Sequence, residues 1–432
     1  MDSFLNIVQS FLSIGSVTIL PFFITIIGLI FRMNFWKSLK SGLLVGIGFQ
    51  GISLVINFLM GTVQPVIDAF SAAGTGMNFP IVDIGWASLS AAAWASPFAA
   101  IVLPAGFLLN FILIKAGATK TLNVDVWNYW HFIFSAAIVY YMMIGGGCGT
   151  GISIAVAFAV AMLCSYIACW IGDRIAEKWQ TQFGLEGTTC TTIYYTATFV
   201  PINWLVNKIM DLIPGVDKID LDAETVQKKL GPIGEPSIFA FLVGILMGII
   251  SGQSVTSTLQ IGVGVAVAIV LLPKMVAMLM EGMSPLSVAA HQTLSKKLGQ
   301  DREFYVGMDI ALAIGDQTAI TASLLMIPIT VGIALIFPNN GFFPTATLGA
   351  LIYITALGSM SSGGKLLRTM IMGIFFVIWH LIALNLLADV CTVVMNNSGV
   401  LSVPAGTKTA AFALDSSINL IIGLLGKLFG LA

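Results

Sequence analysis

Long apolar runs, each about the length of one membrane-spanning helix, recur along the whole chain. A helix needs about 20 apolar residues to cross a bilayer. The charge-free stretches, divided where Gly, Pro or Asn interrupt them, give eleven segments of that kind. These predicted spans are 10–31, 41–60, 96–114, 126–144, 151–172, 236–251, 257–273, 317–337, 345–360, 369–388 and 411–430. The pattern predicts an all-α polytopic membrane protein that forms one integral membrane domain over residues 1–432.

Composition and charge agree with this class and exclude several others. Hydrophobic residues make up 57% of the chain and charged residues 9%, whereas soluble domains carry about 25% charged residues. The net charge of -1 provides no basic field for nucleic acid. The five cysteines form no CxxC pair, and no GxxxxGK[ST] motif occurs. We therefore expect no disulfide framework, metal or cofactor, and no ATPase site within this chain.

Basic residues concentrate on one side of the predicted bundle. If the loop with Arg32, Lys37 and Lys40 is cytoplasmic, 18 of the 19 Lys and Arg residues lie inside, including Lys427, and only Lys408 lies outside. Cytoplasmic loops carry an excess of basic residues. The sequence thus predicts an external N-terminus and a cytoplasmic C-terminus.

Three blocks of residues recur in the same order and predict an internal duplication. Six residues between Leu39 and Pro65 recur 220 positions later, and four between Ala137 and Gly151 recur 213 positions later. Between these blocks, Asp83 and Asp309 each open a stretch rich in small residues. The predicted units are 10–172 and 236–388, separated by a connector at 173–235 and followed by the last span, 411–430. Because each unit has five spans, the second must be inverted in the membrane, an arrangement typical of transporters. The alternative is coincidence in a Gly-, Ala- and Leu-rich sequence.

The two small-residue stretches, 82–97 and 308–323, are too short and polar for full spans, and they suit re-entrant hairpins. The alternative is a surface loop followed by a frayed helix. Their polar and aromatic residues are candidate substrate ligands: Asp83, Trp86, Ser88, Asp309, Asp316 and Gln317. Helix N-capping is favoured for Asp83 and Asp309, whereas Asp316 and Gln317 lie deeper and are interpreted as ligand groups.

Trp127, His131 and Ser135 share one helical face in the fourth predicted span. A neutral imidazole there could bind a sugar hydroxyl or accept its proton; the alternative is a packed His131 bonded to a backbone carbonyl. His380 lacks polar neighbours in the sequence and is interpreted as a packed residue. On the cytoplasmic side, Glu186, Thr188 and Thr189 precede a short apolar segment. They are predicted to form a polar lip of the site, with Glu186 as a second catalytic candidate beside His131. The alternative for 183–204 is a peripheral amphipathic helix.

Five segments carry a family resemblance: VDIGWASLSAAAWASP, NVDVWNYWHF, GLEGTT, KKLGPIGEP and FYVGMDIALAIGDQTAITASLLMIP. Together, and in this order, they resemble the membrane component (enzyme IIC) of the galactitol-type phosphotransferase system, a family related to the ascorbate phosphotransferase permeases. The likeness runs from Pro21 to about Arg368.

The resemblance implies eleven spans, a periplasmic N-terminus, inverted five-span repeats, two re-entrant hairpins and a homodimer with an elevator motion in the bacterial plasma (inner) membrane. It further implies that spans 1, 2, 6 and 7 form a dimerisation domain, and that a polyol is phosphorylated by a phosphocysteine on a separate IIB protein supplied by IIA. The polyol itself stays open. The residues alone equally suit an ion-coupled secondary transporter of a small polar solute, and a channel is a third possibility.

Overall fold

Helices dominate the structure, a computed structural model that describes residues 16–73, 79–96, 99–125, 127–216, 225, 236–298, 303–344, 346–399, 403 and 406–431. The helices are α1 (Ser16–Ile30), α2 (Phe35–Ala73), α3 (Gly85–Ala95), α4 (Ala99–Ala116), α5 (Tyr129–Gly145), α6 (Thr150–Phe183), α7 (Ile193–Met210), α8 (Pro236–Ile250), α9 (Val255–Leu298), α10 (Gln317–Ile336), α11 (Leu351–Ser362), α12 (Leu366–Ser398) and α13 (Ser417–Leu428). Two 3₁₀ turns, Ile310–Ala313 and Thr347–Ala350, precede α10 and α11.

Within the described residues, α6, α10 and α12 are long and apolar enough to cross a membrane, and several other helices are shorter but equally apolar. The prediction of an all-α membrane protein is confirmed at this level. The helices in place of spans 41–60 and 257–273 are much longer than predicted, because α2 has 39 residues and α9 has 44.

Five short strands interrupt the helices: β1 (Ile81–Asp83), β2 (Thr121–Asn123), β3 (Thr188–Cys190), β4 (Tyr305–Met308) and β5 (Lys408–Ala410). All of their pairings are parallel. The strand β4 lies between β2 and β3, while β1 pairs with β5 and forms a single bridge from Ile81 to Phe342. The strands β1 and β4, which follow the helix pairs α1–α2 and α8–α9, are thus each flanked by backbone from the other half of the chain.

The order of elements in residues 16–210 recurs in residues 236–428. Each series begins with a helix pair whose second member is very long, followed by a strand and a short helical segment. Three further helices, of which the last is long, then lead to another strand and a final helix. Equivalent long helices run in opposite directions. Pro65 and Lys40 of α2 contact Gln253, just before α9, and Glu281, late in α9.

The pair α6 and α12 is also antiparallel. The side chain of Gln182, at the end of α6, bonds Ser359 and lies beside Gly364, just before α12 begins. At the other end, the hydroxyl of Tyr141, in the helix leading into α6, lies 3.4 Å from the carbonyl of Asn397, near the end of α12. The four helices α1, α2, α8 and α9 pack mainly on one another, and the other helices enclose the buried core.

The last helix is shorter than the predicted span 411–430. The 12 residues of α13 give it a length of about 18 Å, which is too short to cross a bilayer. The backbone N–H of its first residue, Ser417, donates to Thr198 Oγ1 (2.7 Å), and near its end Lys427 donates to the carbonyl of Leu386 (3.1 Å). Lys427 lines the same cavity as Asp389, the ion-pair partner of Lys408. Lys427 therefore lies close to Asp389 and to its partner Lys408.

The segment 183–204 also differs from one of its two interpretations. It contains β3, paired with β4, and the start of α7, whose residues Ile193–Thr196 are all buried. It is therefore a packed strand and helix and not a peripheral amphipathic helix. The backbone polar groups of the strand form their hydrogen bonds within the sheet.

Candidate functional site

Two carboxylates occupy equivalent positions, each at or directly after a strand and before a helical turn. Asp83 ends β1 and accepts the N–H of Gly85 at 3.1 Å, and Asp309 follows β4 and accepts the N–H of Ala311 at 2.9 Å. Asp309 is the N-cap of its 3₁₀ turn, as the sequence favoured, whereas the N-cap of α3 is Ile84 and Asp83 lies one residue before it. Each side chain is half-buried and keeps further acceptor capacity for other donors.

A buried polar cluster surrounds Asp309. The amide of Asn128 donates to the carboxylate of Asp125 at 2.5 Å and to the hydroxyl of Thr192 at 3.0 Å. The Thr192 hydroxyl also accepts the N–H of Ile310 at 2.9 Å, which ties this cluster to the turn that Asp309 opens. The carboxyl group of Asp309 also faces Asn128 and Thr192. Two carboxylates therefore share a site with neutral hydrogen-bonding groups.

A second cluster surrounds Asp83. Its Oδ2 accepts both the N–H (2.9 Å) and the hydroxyl (3.0 Å) of Thr347. The same hydroxyl lies 3.1 Å from His380 Nε2, and His380 Nδ1 lies 3.0 Å from Asp415 Oδ2. The interpretation of His380 as a residue without polar neighbours was wrong, because its partners are distant in the sequence.

The short helix α3 connects the two clusters. It begins next to Asp83 and ends near Trp94, whose ring lies 6.5 Å from that of Trp127 beside Asp125. Trp86 and Trp127 are partly exposed, as is Ser88, whose hydroxyl donates to the carbonyl of Ile84 at 2.7 Å. The exposed face of α3 consists of alanines. Together these give α3 a surface of aromatic and small side chains that extends from Asp83 towards Trp127.

His131 and Ser135 share a helical face, as predicted, and both contact Tyr194. The imidazole of His131 is fully buried and stacks on the Tyr194 ring at 4.2 Å, and neither ring nitrogen has a hydrogen-bond partner in the described part of the chain. The Ser135 hydroxyl lies 2.8 Å from both Tyr194 Oη and Asn419 Oδ1. Trp127 precedes the helix and is not on this face. The alternative of His131 bonded to a carbonyl does not occur.

The predicted polar lip is not formed by its threonines. The Thr188 hydroxyl donates to Leu185 O (2.7 Å) and accepts from Trp179 Nε1 (3.0 Å), and that of Thr189 donates to Gly172 O (2.6 Å). Both fasten β3 to α6. Glu186 is exposed in the turn before β3.

Asp316 also differs from its interpretation as a free ligand group. It is the N-cap of α10, accepting the Ala319 N–H at 2.8 Å, and it accepts further bonds from Ser359 Oγ (2.6 Å) and Gln182 Nε2 (3.1 Å). Gln317 is different, because its Nε2 is buried and has no partner in the described residues.

Sequence reasoning missed Asp125, Asn128, Thr192, Thr347, His380 and Asp415. Most of them lie within a few residues of a helix start, which is the one local signal that could have indicated them. Among the described residues, no group of three His, Cys, Asp or Glu side chains could hold a metal ion.

Comparison with known proteins identifies the family. The model of the phosphotransferase (PTS) system sugar-specific permease component matches residues 10–411. The chain belongs to this permease family. It is 33% identical over 372 residues, 86% of this chain and 80% of the relative, to the PTS system galactitol-specific EIIC component of Escherichia coli strain K12. A putative permease IIC component of the same strain is 32% identical over 367 residues, 85% of this chain and 82% of the relative.

Proposed function

We propose that this permease translocates a polyol of the galactitol type for phosphorylation by the phosphocysteine of a separate IIB protein, itself supplied by IIA. The similarity to the galactitol-specific relative over 86% of the chain carries this proposal. An ion-coupled secondary transporter could have the same architecture, but the family match favours the phosphotransferase function. The bacterial plasma membrane is its proposed location.

The antiparallel pairs α2–α9 and α6–α12 support inverted repeats, because equivalent helices of an inverted copy must run in opposite directions. The recurring order of elements extends each proposed repeat to the final strand and helix, 16–210 and 236–428. We propose that α1, α2, α8 and α9 form the fixed, dimerising part and that the remaining helices carry the substrate in an elevator motion.

The polyol is proposed to bind between the two carboxylate clusters. A neutral polyol offers only hydroxyl groups, so its site must supply both donors and acceptors. Asp83 and Asp309 supply acceptors, the Gln317 amide supplies a donor, and Trp86 and Trp127 cover the carbon chain. Ser135, Thr188 and Thr189 bond within the protein and act on this site through the helices that they hold.

Phosphoryl transfer needs a base for the attacking hydroxyl. The new O–P bond forms as the S–P bond of the phosphocysteine breaks, leaving a thiolate on IIB, and the hydroxyl proton passes to the base. We propose His131 for this role, because its unpaired ring nitrogens offer an acceptor to a hydroxyl that reaches them. Glu186 lies on the surface and is proposed to meet the substrate or IIB.

Reconstituted vesicles test this function. With phosphorylated IIB inside, galactitol should enter and be recovered as its phosphate, and without IIB no phosphate should form. His131→Gln should still bind polyol but phosphorylate it about 10²–10⁴-fold more slowly, the usual effect of general base catalysis, whereas His291→Gln serves as the control. Uptake of unmodified polyol driven by an ion gradient would overturn the proposal.

A further inference from the structure

The cluster around Asp83 is a linear series of four side chains from four parts of the fold. Asp83 ends β1, Thr347 begins a 3₁₀ turn, His380 lies in the middle of α12, and Asp415 precedes α13. Thr347, His380 and Asp415 are at most 1% exposed. Every link is between 3.0 and 3.1 Å. At these distances the groups are in direct contact, and each contact therefore needs a hydrogen atom of its own to form a hydrogen bond.

Counting hydrogens fixes the number of protons in this series. The Thr347 hydroxyl has one hydrogen but two neighbours, Asp83 Oδ2 and His380 Nε2. If it donates to Asp83, Nε2 must carry a hydrogen and donate to Thr347. If it donates to Nε2, Asp83 must itself be protonated. The contact between His380 Nδ1 and Asp415 Oδ2 needs a further hydrogen. Two ionised carboxylates, the Thr347 hydroxyl and a neutral imidazole supply only two hydrogens for these three contacts, so two lone pairs would face each other at one of them, at a cost typical of an unsatisfied buried group. The cluster therefore holds one proton more than its fully deprotonated form.

The surrounding donors locate that proton on the imidazole. Asp83 already accepts the N–H groups of Gly85 and Thr347, and Asp415 accepts the N–H of Ala413 at 3.0 Å as well as His380. Burial raises the pKa of Asp83, and the N–H bonds from Thr347 and Gly85 lower it, because carboxylates that accept several N–H bonds are stabilised in their ionised form. Imidazole is also intrinsically the most basic group of the three.

The remaining surroundings of the ring are aromatic. The rings of Phe342, Phe376 and Phe412 lie 5.6, 5.3 and 6.2 Å from that of His380. The charged groups that face the imidazole are Asp415 directly and Asp83 through Thr347. An imidazolium between two carboxylates leaves the cluster with one net negative charge, located at Asp83.

We propose that His380 is a protonated positioning residue, which through Thr347 holds the Asp83 carboxylate ionised and oriented at the start of α3. The proposal rests on the proposed function in one respect, namely that Asp83 borders the polyol site. The equivalent Asp309 has Asn128, Thr192 and the carboxyl group of Asp125 as neighbours and no imidazole among them. The imidazole thus belongs to the Asp83 cluster alone, which makes the two carboxylates chemically different acceptors.

Nitrogen NMR of the full-length protein with ¹⁵N-labelled histidine tests the protonation state. The His380 signals are assigned by their loss in His380→Gln. Both ring nitrogens should carry a hydrogen at neutral pH. A neutral His380 at pH 7 would overturn the proposal. This readout does not depend on any substrate, so it stays informative even if the protein transports something other than a polyol.

Substitutions at Thr347 test the positioning role. Thr347→Val removes the bridging hydroxyl at nearly constant shape and should weaken galactitol binding about tenfold or more, as expected for a lost bond to a charged group. Thr347→Ser keeps the hydroxyl and should restore most of the affinity. The matched control is Thr330→Val, because the Thr330 hydroxyl is buried without a partner in the described chain. Wild-type affinity in Thr347→Val, with lowered thermal stability, would reduce the series to a structural role and contradict the proposal.

Discussion

Substitutions of Asp316 test whether its carboxylate acts as the N-cap of α10 or as a substrate ligand. In Asp316→Ala the N-cap of α10 disappears, and the donors on Ser359 and Gln182 lose their acceptor. Loss of an N-cap costs about 1 kcal/mol, and a bond to a charged acceptor contributes about 1.5–3 kcal/mol. Ser359 is fully buried, so its hydroxyl would stay unsatisfied. Because Asp316 itself is partly exposed, we expect a total destabilisation of about 2–4 kcal/mol.

Asp316→Asn is the decisive comparison. Asn is as good an N-cap as Asp, and its amide oxygen still accepts from Ala319 or Ser359, so this variant should lose about 1 kcal/mol. Thermal unfolding in detergent, combined with a galactitol titration, measures both effects on one sample. Asp68→Ala, at an exposed position bonded to Gln64, serves as the control and should change stability by less than about 0.5 kcal/mol. If Asp316→Asn kept its stability and lost galactitol affinity tenfold, the carboxylate would be a ligand and the geometric reasoning would be refuted.

Three further outcomes follow from the packing and charge. Lys427→Cys should react with an impermeant thiol reagent from the side opposite to Lys297→Cys; labelling of both from one side would contradict the position of α13. Gly264→Ala should impair folding, because its Cβ would lie 2.4 Å from a threonine methyl of α2, whereas Gly61→Ala meets open space and should be tolerated, as expression and melting temperature would show. A hydrogen bond from its lysine partner lowers the pKa of Glu303, so the pair stabilises the fold at neutral pH and loses this effect as the pH falls through that pKa. Since both groups are exposed, Glu303→Gln should leave the melting temperature at pH 7 nearly unchanged.

Local patterns predicted the parts of the site that depend on local chemistry. The capping role of Asp309 followed from its position before a helical stretch, and the shared face of His131 and Ser135 followed from their spacing of four residues. Asp83 bonds the first N–H of α3 from one residue before the N-cap. Asp316 also precedes a helix and caps it, whereas its interpretation as a ligand group gave more weight to its depth within a polar stretch than to its capping position.

The partners of these residues could not be read in the same way. His380 meets Asp415 and Thr347 across 35 and 33 positions of the chain, and Thr347 meets Asp83 across 264. No periodicity encodes such contacts, because they form only when strands from opposite halves pair.

The sequence by itself determined the class of the protein, since 57% hydrophobic residues in runs of helical length have no stable arrangement in water. It also indicated the family, through motifs that follow one another in a characteristic order along most of the chain. Only the tertiary structure decided where the final helix ends. The residues of α13 are apolar enough to suggest a span, but the preceding segment pairs as β5 with β1 and fixes the start of α13 beside Thr198. From that start, 12 residues reach one end of the molecule and no further.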